Sequence, residues 1–240
     1  MDHIPEKPEW CLFDFIVIYA SIIIVAALWN MNGEWLSTAL IKSGLSDDIL
    51  TLFLFSFAVQ FTITLLLIWL VIIRRQGISF VQLGIRRTSF KDFIKYGLVG
   101  GMLLLLIIVS LSYPLQWWQP ELEPQVFEEM LHSAGSWPQL LLLLVIGSIL
   151  APFSEELLYR GVLYPLLRYP LGTGWGMAAA GLVFGVAHWD AYRTIPLAVG
   201  GAILCYIYEK TGSIFVTTLA HGVWNGVMAV IVYITYNNLL

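Results

Sequence analysis

Residues 139–163 read "QLLLLLVIGSILAPFSEELLYRGVL". A run long enough to cross a bilayer, which takes about 20 mostly apolar residues, here carries Glu155, Glu156 and Arg160 with no turn to lead them into water. On a soluble helix such a trio would mark the solvated face. On this one every turn around it is apolar, so the charges have to be satisfied inside a helix bundle.

The rest of the chain agrees with a membrane setting. Of its 240 residues 59% are hydrophobic and only 12% charged, about half the charge of a soluble domain, and the mean hydropathy is +0.81. The net charge of −4 is small, and no basic patch is large enough to bind nucleic acid. Cys11 and Cys205 lie far apart in or beside apolar segments, which suits small hydrophobes better than a disulfide or a thiolate metal site. The opening "MDHIPEKPEW" has prolines and acidic residues where a signal peptide has basic ones, so the first span is expected to stay as an anchor.

Apolar runs at residues 12–29, 52–73, 94–113, 138–166, 174–189, 195–209 and 212–236 predict an all-α polytopic transmembrane helix bundle of about seven spans, or eight, with Pro152 interrupting the fourth. Residues 1–240 form a single integral membrane domain on this reading, with a catalytic core over about 138–236 and no tandem repeat. The loop after the second run carries Arg74, Arg75, Arg86, Arg87, Lys91 and Lys95, whereas "PLQWWQPELEPQVFEEMLHSAGSW" has acids but no Lys or Arg. By the bias of basic residues toward the cytoplasm, the first loop and the N-terminus lie inside and the second loop outside. Trp117 and Trp118 fit an interfacial belt, and "QVFEEMLHS" suits a short helix on the outer surface.

Few ionisable residues are left within the apolar runs. Besides Glu155, Glu156 and Arg160 these are His188 and His221, joined by the carboxamide of Asn225; Asp14 is near enough to a span end to reach the interface. Each charge at mid-bilayer costs about 2.5–3.5 kcal/mol even on a lenient scale, so they must pair. Glu156 and Arg160 are four apart and share a helical face, as do His221 and Asn225, and Phe184 and His188. Glu155 is turned about 100° from Glu156 and points elsewhere. Counted from the loop at 169–173, Glu155 and His188 lie roughly 21–23 Å up at a rise of about 1.5 Å per residue; counted from Thr211, His221 and Asn225 lie roughly 14–20 Å up. The groups can therefore meet in one pocket. Pro152 is expected to break the helix, leaving Glu155 near a half-helix N-terminus beside a wet cavity.

A desolvated carboxylate beside an imidazole can take a proton from water. A His and an Asn one turn apart can offer two N–H groups to a tetrahedral oxyanion. Glu155, His188 and His221 are equally reasonable zinc ligands with a water in the open position. Hydrolysis is the common reading, by either kind of activation.

"EELLYR" (155–160), "FGVAH" (184–188) and "HGVWN" (221–225), in this order and spacing, resemble the three motifs of the CPBP family, the CAAX proteases and bacteriocin-processing enzymes related to the type II CAAX prenyl endopeptidase. "YEKTGSIFVTTLAHGVWN" (208–225) is also similar to the family's approach to its third motif. The resemblance covers about 138–230 and leaves the first three runs without a motif; family members often have eight spans. It implies an intramembrane endopeptidase with Glu155 and His188 as water activators and His221 with Asn225 as the oxyanion site. Glu156, Arg160 and Phe184 are then supporting residues. The family has been described both as zinc enzymes and as glutamate-dependent ones; Asn225, a poor zinc ligand and a good oxyanion donor, favours no metal cofactor. The implied partners are the lipid bilayer and a peptide or membrane-protein substrate, prenylated or secreted, entering a cavity open toward the cytoplasm or inner leaflet. The short loops suggest a prokaryotic plasma-membrane protein.

Rival readings have their own marks. "GTGWG" (172–176) has no preceding strand and reads as a turn, not a nucleotide site. Ser154 lacks the G-x-S-G setting of a rhomboid-like nucleophile, and neither H-E-x-x-H nor G-x-G-D occurs. Buried carboxylates and histidines also suit a proton-coupled transporter, against which stand the absence of visible inverted repeats and the clustering of these groups in one half of the chain. A catalytically silent scaffold is the remaining alternative.

Overall fold

The computed structural model describes residues 7–44, 46, 48–118 and 124–236. The described residues form an all-α bundle: α1 (Leu12–Met31), α2 (Gly33–Lys42), α3 (Ile49–Arg74), α4 (90–118), α5 (Val126–Ser133), α6 (137–171), α7 (173–186), α8 (Thr194–Thr211) and α9 (Ile214–Tyr236). Each of the seven expected runs is helical over most of its length, the fifth ending at Val186 and the seventh starting at Ile214. By length and composition five helical runs can cross a membrane: Leu12–Trp29, Ile49–Arg74, Phe90–Leu115, Trp137–Val186 and Ile214–Tyr236. The fourth, of 50 residues, is two helices bent at Gly172, whose φ of 74° is a conformation that glycine adopts without a Cβ penalty. The α8 helix is outside the five; Glu209 and Lys210 sit in its last turn.

Contacts between the ends of the helices define two poles. At one, Ile214 N–H donates to the Gly84 carbonyl (2.9 Å), Ser213 Oγ to the Arg86 carbonyl (2.9 Å), and Arg168 pairs with Glu209. At the other, Arg193 meets Glu128 at 3.6 Å and the His132 and Tyr236 rings stack at 3.8 Å. The α5 helix forms as expected, with Val126, Glu129 and Ser133 exposed on one face and the opposite face packed on the bundle. Its Met130 and Leu131 are buried in one cluster with Leu50, Leu140 and Leu143. Asp14, expected at the interface, is buried instead and accepts from Arg75 (2.8 Å), Gln76 (3.1 Å) and the Cys11 N–H (2.9 Å).

Close approach of backbones holds the C-terminal helices together. A Cβ at Gly181 or Gly185 would overlap α8 at Ala198 or Thr194, and one at Gly222 would overlap the Ser148 carbonyl of α6. Small residues at such contacts are how helices pack tightly in lipid, where apolar burial gives little drive. The α9 helix is the centre of this half, packed on α4, α6 and α8. The α1 and α3 helices pair with each other and lean on the middle of α6.

Candidate functional site

The local shape of α6 decides where its charges point. Pro152 does not break the helix as expected. The missing N–H falls at the start of a short α segment, Ala151–Glu156, and the preceding Ile146–Leu150 is a wide π turn. A second π stretch, Leu157–Leu163, follows. Such wide turns absorb a missing bond without a break and are common at functional sites.

Between the two wide turns, Glu156 is fully buried and Glu155 partly open, its side chain 34% exposed. Glu156 Oε1 receives Arg160 Nη1 at 2.9 Å and His221 Nδ1 at 2.8 Å. Arg160 also donates through Nη2 to the Gly201 carbonyl of α8 (3.0 Å) and lies over the Phe184 ring of α7, 4.8 Å from its centroid. One guanidinium thus ties three helices together and, through Glu156, reaches the fourth. With Glu156 ionised as the partner of Arg160, the proton on Nδ1 of His221 belongs to this bond. His221 Nε2 is left facing Glu155 Oε2, 3.8 Å away.

His188 lies in the turn just past the end of α7, with Nδ1 against the Phe184 carbonyl at 2.8 Å. Phe184 is fully buried between the rings of Tyr159, His188 and His221, with centroids 5.1, 4.8 and 5.7 Å away. Asn225 stands one turn beyond His221 and donates from Nδ2 to the Gly147 carbonyl in the π turn (3.2 Å). Glu155 and His188 line a cavity of about 550 Å³ with Ser154, Tyr159, Trp189 and, from α1 and α3, Tyr19, Ile22, Ala26, Phe57, Gln60 and Thr64. This volume is within the usual range of ligand sites, roughly 300–1,000 Å³. His221 and Asn225 stand behind this surface and do not line it.

Of the residues singled out by spacing, Glu155, Glu156, Arg160, Phe184 and His221 touch one another in a chain of contacts and His188 shares the cavity with Glu155, whereas Asn225 bonds to Gly147 outside that cavity. The spacing also missed two things. It paired Glu156 with Arg160 but could not see that the same oxygen holds His221. It also gave the first and third helices no part in the site, although Gln60 and Thr64, four apart on one helical face of the second run, were a visible sign. As for zinc, both histidines have Nδ1 engaged and Nε2 to offer, yet among the described residues no three His, Cys, Asp or Glu donors come together closely enough to hold an ion. As placed, this donor set does not fit a metal ion.

Comparison with known proteins bears on the same segment. Residues 137–227 match the family described as type II CAAX prenyl endopeptidase Rce1-like. A curated relative, "Putative membrane peptidase YdiL" of Bacillus subtilis (strain 168), is 24% identical over 84 residues. That match covers 35% of this chain and 34% of the relative, so the chain spans about a third of the length of the curated protein it resembles. No solved structure matches. The segment that builds the Glu156–Arg160–His221 cluster is thus the part of the chain that is similar to the CPBP-type membrane proteases.

Proposed function

We propose that the protein is an intramembrane endopeptidase in which Glu155 activates water. The observation that carries this reading is the unequal placement of the two adjacent carboxylates. Glu156 is sealed in and spent on Arg160 and His221, whereas Glu155 opens onto the cavity within 3.8 Å of the free nitrogen of His221. A carboxylate with a solvent-side cavity, an imidazole neighbour and no cation of its own is suited to general base work.

In the proposed cycle, the peptide carbonyl lies in the cavity beside a water held by Glu155 and His188. Glu155 takes a proton as the water oxygen bonds to the carbonyl carbon, and the carbonyl π pair moves onto oxygen. Asn225 Nδ2 becomes a donor for that oxyanion only once it leaves the Gly147 carbonyl and turns from behind the cavity surface toward the substrate. His221 donates through Nε2 only when doubly protonated, since its Nδ1–H is committed to Glu156; a proton passed from Glu155 supplies that form. Collapse breaks the C–N bond as the proton taken from water passes to the leaving nitrogen, giving an amine and a carboxylic acid. The acid's remaining proton goes to Glu155 and on to solvent, which leaves the carboxylate. The substrate is a peptide or membrane-associated protein.

The test compares protein termini by mass spectrometry in cells expressing the wild type or Glu155→Gln at equal abundance. New termini with the wild type alone support the proposal. Identical termini in both, with the candidate substrates detected, would leave a transporter or scaffold as the better reading.

A further inference from the structure

The two poles of the bundle differ in charge. Of the 12 Lys and Arg, only Lys42 and Arg193 belong to the pole where α5 lies, and Arg160 is buried at the centre. All the others gather at the pole of the Gly84–Ile214 contact. Arg193 is moreover paired with Asp190 at 2.6 Å. Such a bias orients a polytopic protein with its basic pole in the cytoplasm.

The cavity is closed toward that basic pole. The Tyr19 and Tyr159 hydroxyls meet at its base, and beneath them Ile18, Ile68, Ile72 and Val162 are at most 1% exposed. The layer is stapled from below: Trp10 Nε1 donates to the Val162 carbonyl (2.9 Å), and buried Asp14 holds Arg75 and Gln76. Toward the opposite pole the lining runs to Ala27 and to Trp189, which is 81% exposed. Trp189 has a φ of 55°, a left-handed conformation that is an outlier for a bulky residue. It follows His188 directly, so the strained residue stands at the open rim.

From this juxtaposition of a sealed basic pole and an open acidic one, we infer that the cavity receives its substrate from the non-cytoplasmic side. The lining toward α1 and α3, with Ile22, Ile23, Ala26, Phe57 and Phe61, fits an extended apolar segment. The substrate class is therefore an apolar stretch of an exported peptide, or the outer end of a membrane helix, and not a cytoplasmic prenylated tail. The access part stands on geometry and charge alone; the substrate part rests on the proteolytic reading above.

The experiment uses the full chain in bacterial spheroplasts, with exposed Cys11 replaced by Ser. Trp189→Cys and, at the exposed basic-pole position, Arg87→Cys are treated with a membrane-impermeant maleimide before and after lysis. The expected result is labelling of Trp189→Cys before lysis and of Arg87→Cys only after it. The reverse pattern, equal labelling of both before lysis, or no labelling of Trp189→Cys at all overturns the access claim. In the same cells, Glu155-dependent termini should map to exported or outer-facing segments. Termini confined to cytoplasmic segments overturn the substrate claim while proteolysis stands. If no terminus depends on Glu155, the protease reading fails and takes the substrate claim with it, whereas the labelling result is unaffected.

Discussion

Glu156 and His221, 65 positions apart in the chain, share a hydrogen bond of 2.8 Å in a spot where neither is more than 2% exposed. The bond fixes which ring nitrogen of His221 is free. It also makes Glu156 answerable to two partners at once, because Arg160 uses the same oxygen.

Removing that carboxylate should therefore be a folding lesion before it is a catalytic one. Glu156→Ala leaves Arg160 buried without a counter-charge, a loss of about 3–5 kcal/mol. Glu156→Gln keeps the shape and one acceptor, so it should be more stable than Glu156→Ala. Thermal unfolding of the purified protein in detergent ranks the two; equal stability would mean that the pair is not the clamp described here.

Glu155→Gln should do the opposite. The side chain is 34% exposed and holds no buried cation, so stability should stay within about 1 kcal/mol of wild type. Proteolysis should fall by about 10²–10⁴-fold, the usual contribution of a general base. Full activity in a well-folded Glu155→Gln protein would remove Glu155 from the chemistry.

Gly222→Ala tests the seating of α9. Its new Cβ would overlap the Ser148 carbonyl of α6, and backbone cannot yield as a side-chain tip can. Overpacking of this kind costs about 1–3 kcal/mol, and here it also shifts the adjacent His221. Activity should drop more than stability does, as judged by turnover and unfolding on one preparation.

The glutamate-dependent proposal predicts that turnover survives metal chelators and that purified, active protein carries no stoichiometric zinc by elemental analysis. Loss of turnover on chelation with rescue by zinc would instead require Glu155, His188 and His221 to draw together from their present positions.

The rim of the cavity should be indifferent to mild acid. Asp190 is partly shielded, which alone would raise its pKa, but hydrogen bonds from the Arg193 N–H and guanidinium overcome this and hold the carboxyl below its usual value. A lowered folded-state pKa gives stability that is fully present above about 3.9, the unfolded value, and is lost as pH falls through the folded one. Trp189 fluorescence should thus be flat from neutral pH to about 5 and change only in stronger acid, and Asp190→Asn should abolish that acid transition.

Legibility in the sequence followed the range of each physical rule. Helical runs and their ends are local, so all seven appear near the expected places, and the pairs Glu156–Arg160 and His221–Asn225 do share faces because the interval of four lies within one helix. What crosses between helices was hidden. Nothing in the spacing of "EELLYR" and "HGVWN" says that Glu156 and not Glu155 takes Nδ1 of His221. Pro152 was misread because a proline can be met by a break or by a wide turn, and the choice depends on Gly147 and Ser148 packing against Phe127, Gly222 and Gly226. The sealing of the cavity toward one pole depends on Trp10 reaching Val162, 152 positions later, which no local pattern reports.

The interval of four between Glu156 and Arg160 has a meaning for biosynthesis as well. The α6 helix leaves the ribosome and must enter the bilayer before α8 and α9 exist to receive it, since chains are made and assembled from the N-terminus. At that moment neither Gly201 nor His221 is available, and two separate charges would hold the segment out of the lipid. Because the acid and the base lie one turn apart on a single helix, they neutralise each other from the start, which leaves Glu155 as the one unpaired charge within the apolar run of α6 while it waits in the membrane for the later helices. His221 then joins a pair that is already complete.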